Sequence, residues 1–168
     1  MQRGSWYTPA MKPTVYVETS VISYLTSKPS RDLVVAAHQE LTREWWSVAR
    51  DSYDLAISDV VIEEISRGDK DAVARRLAVV EGLLVLGHDA SVGTFALEYQ
   101  QMLSLPEEAE ADLYHIAYAV VFELDYLVTW NCAHIANANS AKRIATRNAE
   151  RNRFMPMIVT PDWFEVEP

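Results

Sequence analysis

Cysteine and long apolar runs are the features that this sequence most clearly lacks. Cys132 is the single cysteine among 168 residues, which excludes a framework of disulfide bonds and makes a reducing cytoplasm the expected location. No apolar run approaches the roughly 18 to 20 residues that a membrane-spanning helix needs. The first ten residues contain no apolar core of the kind found in signal peptides. We therefore expect a globular cytoplasmic protein with no membrane contact.

Positive charge is also scarce. The chain has 15 Lys and Arg residues against 24 Asp and Glu residues, a formal net charge of −9. Tight, metal-free binding to a nucleic-acid backbone is not expected, because such binders usually present a basic surface. Acidic side chains that hold Mg²⁺ remain compatible with a phosphate substrate, because the ion supplies the positive charge. No glycine-rich turn follows the first predicted strand, which excludes a dinucleotide-binding fold.

Segments with strand character alternate with amphipathic helical segments along the chain. The predicted strands are residues 14–17, 53–58, 83–86, 125–130 and 157–160. The predicted helices begin at Val21 and then cover residues 31–50 (with Ser30 as the N-cap), 60–67, 69–80, 88–105, 107–123 and 140–152. This alternation predicts a three-layer α/β/α fold with a central parallel sheet of about five strands. We expect one domain, residues 12–168, after an N-terminal extension, residues 1–11.

The stretch Thr14–Tyr24 is the centre of the predicted site. Its strand is followed directly by Glu18, Thr19 and Ser20, and an apolar helical segment comes next. Ligands of open parallel sheets bind in the crevice beyond the carboxyl ends of the strands. The carboxylate of Glu18 is therefore placed for chemistry, provided that other carboxylates reach the same edge.

Two further acids fall at comparable places. Glu64 lies six residues after Ser58, where the second strand ends, and Asp112 lies in the first turns of the helix before the fourth strand. The fourth strand ends in Thr129-Trp130-Asn131, which brings a side-chain oxygen to the same edge. Mg²⁺ and Mn²⁺ prefer several oxygen ligands. Three carboxylates with Asn131 would suit one ion, or two ions bridged by a substrate phosphate.

Each of these residues also has an ordinary structural explanation. Glu18 could be a helix N-cap, Asp112 could favour the helix N-terminal half through the macrodipole, and Asn131 could be a turn residue. Glu63 and Glu64 could both be surface acids. Glu64 is the better candidate because Val61 and Ile65 flank it on an apolar helix face.

The order of these motifs resembles a PIN domain, the nuclease fold of VapC-like toxins. The matching segments are Val17–Ser20, Ser58–Ile65, Ala111–Ala117 with its Asp-x-x-His-Ile-Ala pattern, and Asp125–Asn131. Together they extend the resemblance over roughly residues 12–160.

The resemblance implies a Mg²⁺- or Mn²⁺-dependent ribonuclease, a hydrolase that cleaves RNA with an activated water. It implies metal binding by Glu18, Glu64 and Asp112, with Asn131 as a fourth catalytic residue. It also implies an antitoxin partner and a homodimer. The residues expected to orient these groups or contact substrate are Thr19, Ser20, Thr129, His115 and His134.

Two positions depart from the family pattern. The family usually has Asp where this chain has Glu18, whose extra methylene moves the carboxylate outward by about 1.5 Å. His134 stands near the place of a fourth acid, and the loss of that charge would weaken metal binding. His134 is a candidate metal ligand, a phosphate contact or an ordinary helix residue.

Basic residues are concentrated near the end of the chain. Lys142, Arg143, Arg147 and Arg151 are candidate phosphate contacts, and the three arginines share one helix face at four-residue spacing. The alternative is a solvated helix face. On the long second helix, Arg43, Trp46 and Arg50 form a strip that would suit an antitoxin or a second copy of the chain.

Two other functions are compatible with these patterns. A catalytically silent PIN domain would bind nucleic acid or protein without cutting it, and would not require a divalent ion. A phosphoacceptor domain would need an Asp at a strand end and an opposing Lys, but Lys is scarce after Lys70. The metal-dependent ribonuclease is the function that the motifs favour.

Overall fold

Five strands form one parallel sheet in the computed structural model, which describes residues 11–164. They are β1 (Thr14–Val17), β2 (Asp54–Ser58), β3 (Leu84–Leu86), β4 (Tyr126–Val128) and β5 (Met157–Val159). Their order in the sheet is β3-β2-β1-β4-β5, and all four pairs are parallel. The predicted N-terminal extension lies outside the described residues apart from Met11.

Helices connect the strands and cover the sheet. In the described range they are α1 (Thr19–Thr26), α2 (Leu33–Ser52), α3 (Asp59–Ile65), α4 (Lys70–Val80), α5 (Ala90–Leu103), α6 (Glu110–Val121) and α7 (Ala138–Glu150). Helix α1 packs against α2, α3 and α4, while α5 packs against α6 and α7. The predicted α/β/α fold is confirmed. Among residues 11–164, no helix combines the length and apolar character needed to cross a membrane.

The central strands are buried because helices lie on both sides of them. Val15, Tyr16 and Val17 of β1 and Leu127 and Val128 of β4 have no solvent-exposed surface. Strands buried on both faces carry nearly continuous apolar sequence, as β1 does. This rigid centre fixes the positions of the residues that follow β1 and β4.

The starts of α2 and α5 were predicted wrongly because nearby aspartates cap these helices. The carboxylate of Asp32 accepts hydrogen bonds from the backbone N–H groups of Val34 and Val35, at 2.9 and 3.0 Å, so α2 begins after Asp32. The hydroxyl of Ser30, the predicted cap, accepts instead from the N–H of Asp32 at 3.1 Å. Asp89 caps α5 in the same way, and this helix therefore begins at Ala90.

Strand β4 is shorter than predicted because the residues around it have other partners. The Asp125 carboxylate accepts hydrogen bonds from the backbone N–H and the hydroxyl of Thr14, both at 2.8 Å. The Thr14 hydroxyl in turn accepts from the backbone N–H of Asp125 at 2.9 Å. These reciprocal bonds align the amino ends of β1 and β4.

We expect Asp125→Asn to lower the free energy of unfolding by about 1 kcal/mol at neutral pH, because charged hydrogen bonds to exposed groups are only modestly stabilising. The Thr14 hydrogen bonds lower the pKa of Asp125. Its stabilisation is therefore complete above the unfolded pKa and disappears as the pH falls through the lower folded pKa. Urea unfolding at neutral and strongly acidic pH measures this difference. The control is Asp54→Asn, at the exposed start of β2; an equal loss in both variants would contradict the prediction.

Candidate functional site

The carboxyl ends of β1, β2 and β4 meet at one edge of the sheet. The backbone N–H of Glu18, the first residue after β1, donates to Val128 O at 3.1 Å. Thr129, the first residue after β4, donates through its N–H to Val159 O at 3.0 Å. Glu18 and Thr129 are therefore neighbours across the central strand pair, and Ser58 ends β2 beside them.

Glu18 is buried, with 5% of its surface exposed. Its Oε2 accepts hydrogen bonds from the hydroxyls of Ser20 and Thr129, the latter at 2.6 Å. The Ser20 hydroxyl also accepts from the backbone N–H of Trp130 at 2.8 Å. These bonds tie the carboxylate to the first turn of α1 and to the segment after β4, so its orientation is fixed from both sides.

Glu64 reaches the same place from α3. Ser58 caps this helix by accepting from the Val61 N–H at 3.3 Å. Glu64 Oε2 accepts a hydrogen bond from the Thr19 hydroxyl and lies 3.2 Å from His115 Nε2. The adjacent Glu63 is exposed and forms an ion pair with Arg67. Of the two glutamates, Glu64 is the one that faces Glu18.

His115 lies between the two glutamates and is almost fully buried. Its Nε2 is 3.9 Å from Glu18 Oε1, and the potential ligand atoms of Glu18, Glu64 and His115 lie within 4.8 Å of one another. On the other side of the ring, Nδ1 is 2.8 Å from the Tyr16 hydroxyl, which is 2.7 Å from the Ser58 hydroxyl. The imidazole is thus held at both nitrogens.

Tyr16 is the site residue that sequence reasoning missed. The signal was present, because Tyr16 is two residues before Glu18 on an extended segment, and side chains at that spacing point to the same side of a sheet. Its length and apolar neighbours suggested a core residue, which it also is, with no exposed surface. The hydroxyl at its end is what connects the core to His115.

Asp112 and Asn131 form the next part of the site. Asn131 Nδ2 donates to Asp112 Oδ1 at 2.8 Å, and its backbone N–H donates to the Thr129 hydroxyl at 2.9 Å. Asn131 Oδ1 accepts from the backbone N–H of His134 at 3.1 Å. The charges of Glu18 and His134 act on the pKa of Asp112, which therefore lies near both residues. Its carboxylate is nevertheless not one of the three mutually close groups formed by Glu18, Glu64 and His115.

The surroundings shift the pKa values of two carboxyl groups in opposite directions. Burial would raise the pKa of Glu64, but the hydrogen bond and charge of His115, with the Thr19 hydroxyl, outweigh it and lower the pKa. Burial raises the pKa of Asp112, and the Asn131 hydrogen bond only partly offsets this rise. Glu64 is therefore a firmly ionised group, whereas an ionised Asp112 is poorly solvated.

The donor set fits a divalent cation. Each carboxylate uses one oxygen for hydrogen bonds within the protein: Oε2 of Glu18, Oε2 of Glu64 and Oδ1 of Asp112. Within residues 11–164, no hydrogen bond reaches the second oxygen of any of the three. Carboxylate oxygens held in place but not fully satisfied are suitable ligands for Mg²⁺ or Mn²⁺.

Basic residues of α7 and of the segment that follows it are engaged with α5. Glu98 of α5 lies 3.6 Å from Arg147, 3.9 Å from Arg151 and 2.8 Å from Arg153, and Arg143 donates to the backbone carbonyl of Met102. These contacts dock α7 and neutralise part of its charge. Lys142 lies with Arg143 and Arg147 beside a surface cavity of about 290 Å³. Phosphate contact by Lys142, Arg143, Arg147 and Arg151 stays a prediction.

A groove leads away from the site along α1. It has a volume of about 550 Å³ and is lined by Ser20, Tyr24, Lys28 and neighbouring polar residues up to Gln39. Beside it, the rings of His38 and Trp130 stack with centroids 4.0 Å apart. Since Ser20 belongs both to the groove and to the hydrogen bonds of Glu18, a ligand in the groove would lie next to the carboxylates.

Comparison with solved structures identifies the fold. The chain is similar to VapBC2 from Rickettsia felis bound to a DNA fragment from their promoter, with TM-score 0.57, 16% identity and coverage of 88% of this chain and 98% of that chain. It is similar to the Sarcin-Ricin loop cleaving toxin VapC20 of Mycobacterium tuberculosis, with TM-score 0.57, 18% identity and coverage of 74% and 95%. VapBC-1 from nontypeable Haemophilus influenzae gives TM-score 0.55, 14% identity and coverage of 88% and 98%. No protein-family model and no curated protein matches the sequence. The predicted VapC-like PIN fold is confirmed.

Proposed function

We propose that the protein is a metal-dependent endoribonuclease and the toxin of a toxin–antitoxin pair. The observation that carries the proposal is the convergence of Glu18, Glu64 and Asp112 at one sheet edge, each with a carboxylate oxygen that the described protein leaves without a hydrogen bond. The fold neighbours include a Sarcin-Ricin loop cleaving toxin, which supports RNA as the substrate and phosphodiester hydrolysis as the reaction.

The site residues would have two roles: the carboxylates would hold the metal ion, and the hydroxyls would orient the carboxylates. Glu18, Glu64 and Asp112 would hold Mg²⁺ or Mn²⁺, which when bound supplies Lewis acidity toward a phosphate oxygen and acidifies water. Ser20 and Thr129 keep the Glu18 carboxylate in place, and Thr19 does the same for Glu64. Substituting such outer partners typically costs about 10- to 100-fold in metal affinity or activity, so these hydroxyls would support catalysis through the carboxylates that they hold.

The groove beside Ser20 would receive the RNA strand next to the site. Tyr24 offers an aromatic ring for a base, and Lys28 offers a charge for a phosphate. Lys28 would thus supply positive charge beside the substrate, although the protein as a whole is acidic. His134, near Asp112, would contact the substrate phosphate from the other side.

An antitoxin and a second copy of the chain are the proposed protein partners. Two of the fold neighbours are VapBC structures, which supports an antitoxin. Two members of the strip, Arg43 and Trp46, line a largely apolar groove of about 470 Å³ between α1, α2 and α4, together with Leu25 and Val79. Arg50 donates to the Val79 carbonyl at 2.6 Å and Arg43 is paired with Glu40, so the proposed partner surface centres on Trp46 and the apolar groove.

The test is cleavage of a mixed, labelled single-stranded RNA by the purified protein, in Mg²⁺ or Mn²⁺ and in EDTA. We expect cleavage that requires the metal and disappears in Asp112→Asn, which also serves as the control for a contaminating nuclease. Absence of cleavage by the folded protein in either metal would contradict the proposal. It would favour instead a catalytically silent PIN domain that binds nucleic acid or protein.

A further inference from the structure

His115 has contacts that a core histidine does not need. Its Nε2 faces two carboxylates, at 3.2 Å from Glu64 Oε2 and 3.9 Å from Glu18 Oε1. Its Nδ1 is 2.8 Å from the hydroxyl of Tyr16, a residue with no exposed surface. A metal-binding histidine is typically held in this way, with one nitrogen toward the ion and the other in a hydrogen bond that fixes the ring and its tautomer.

The hydroxyls behind the ring permit either tautomer of a neutral imidazole. When Nε2 carries the proton, it donates to Glu64, and Nδ1 accepts from the Tyr16 O–H. When Nδ1 carries the proton, it donates to the Tyr16 oxygen, and the Tyr16 O–H donates to the Ser58 hydroxyl at 2.7 Å. The Tyr16 hydroxyl is protonated in both arrangements and only changes the direction of its hydrogen bond.

In the second tautomer the lone pair of Nε2 points toward two carboxylates. Three electron-rich atoms in a buried space repel one another unless a cation lies among them. The potential ligand atoms of Glu18, Glu64 and His115 are within 4.8 Å of one another, and these groups are buried or partly buried. This is a mixed nitrogen and oxygen donor set, whereas Mg²⁺ prefers oxygen donors alone.

We propose that His115 Nε2 is a direct protein ligand, together with Glu18 and Glu64, of a divalent transition-metal ion such as Mn²⁺, and that Tyr16 is its positioning residue. This inference rests on the metal site of the proposed function and specifies one more ligand and the class of metal ion for that site. Because Mg²⁺ prefers oxygen ligands, an imidazole nitrogen in the donor set favours a transition-metal ion over Mg²⁺. His115 is thus added to the carboxylates of the proposed function, and Asp112, outside the close group of three, remains the third carboxylate for the ion.

The experiment is pulsed electron paramagnetic resonance of Mn²⁺ bound to the full chain, without RNA, combined with calorimetric titration. The chain has four histidines, and His134 is the other one near Asp112, so His134→Gln is the matched control for His115→Gln. We expect coupling to a histidine nitrogen in the wild type and in His134→Gln, and none in His115→Gln. The Mn²⁺ Kd should rise about tenfold or more in His115→Gln and in Tyr16→Phe, while the Mg²⁺ Kd changes less.

The wild-type spectrum tests for a histidine ligand of Mn²⁺ even if a variant folds poorly. Mn²⁺ binding without histidine coupling, or with coupling that persists in folded His115→Gln, overturns the proposal and leaves a carboxylate metal site and the ribonuclease function intact. Absence of Mn²⁺ binding overturns the proposal, and the cleavage assay in EDTA then shows separately whether the proposed function also fails.

Discussion

Glu64→Gln is expected to reduce RNA cleavage by about 100-fold or more, because substitutions of groups that merely support a metal ligand already cost about 10- to 100-fold. The glutamine keeps the size of the side chain and an oxygen that can accept the Thr19 hydrogen bond. It removes the negative charge that His115 and Thr19 stabilise, seen in the lowered pKa of Glu64. The loss should therefore be one of activity and metal affinity, with little loss of structure, measured as kcat/KM at saturating Mn²⁺.

Glu63→Gln is the matched control for this experiment. It makes the same chemical change one residue earlier on α3, where the side chain is exposed and paired with Arg67. Surface changes of this kind usually alter stability by no more than about 0.5 kcal/mol, and we expect cleavage to be unaffected. Equal activity in Glu64→Gln and Glu63→Gln would contradict the placement of Glu64 in the active site.

The contrast between Glu63 and Glu64 shows what sequence patterns predict well. The helical period distinguishes the two faces of α3, and the apolar flank of Val61 and Ile65 marks the buried one. In the same way, alternation of strands and helices predicts that Glu18 and Asn131 follow strands at one edge of a parallel sheet. These features follow from local periodicity and chain connectivity, which a sequence displays directly.

Hydrogen-bond and ion-pair partners cannot be predicted from sequence in this way. Asp32 and Ser30 are both good helix caps, and the choice between them depends on which one the chain can turn toward the first N–H groups of α2. Glu98 on α5 pairs with Arg147 on α7 across 49 positions of sequence. Such pairings depend on how the helices pack in the folded protein. The position of the basic helix could therefore be predicted from sequence, whereas its contacts could not be predicted.

The departures from the family pattern illustrate the same limit. The longer side chain of Glu18 is accommodated because the hydroxyls of Ser20 and Thr129 both reach Oε2, a geometry that a one-dimensional motif does not contain. The family resemblance implies for His115 only a role in orienting the catalytic groups or contacting substrate. The position of His115 between Glu18 and Glu64 depends on how α6 packs against α3 and β4.

Asp112→Asn is expected to have opposite effects on stability in the absence and presence of metal. Burial raises the pKa of Asp112, and the charge of Glu18 adds to this effect. A raised folded pKa means that the folded state holds the proton more tightly than the unfolded state, so ionised Asp112 destabilises the fold at neutral pH. Asparagine removes the charge and keeps an oxygen for the Asn131 hydrogen bond. In EDTA the variant should therefore have the higher Tm.

Bound metal should reverse that order. A ligand present at roughly 100 times its Kd stabilises the folded state by about 2.7 kcal/mol, which corresponds to about 5–10 °C in Tm for a domain of this size. The wild type should gain this increment in Mn²⁺, and Asp112→Asn, with one carboxylate fewer beside the ion, should gain much less.

Thermal unfolding followed by circular dichroism in EDTA and in Mn²⁺ measures both effects. The control is Glu110→Gln, at an exposed position in the first turn of α6. A lower Tm for Asp112→Asn in EDTA, or an equal gain in Mn²⁺, would contradict the prediction. The expected reversal would mean that the same buried charge that weakens the fold is the one that the ion requires.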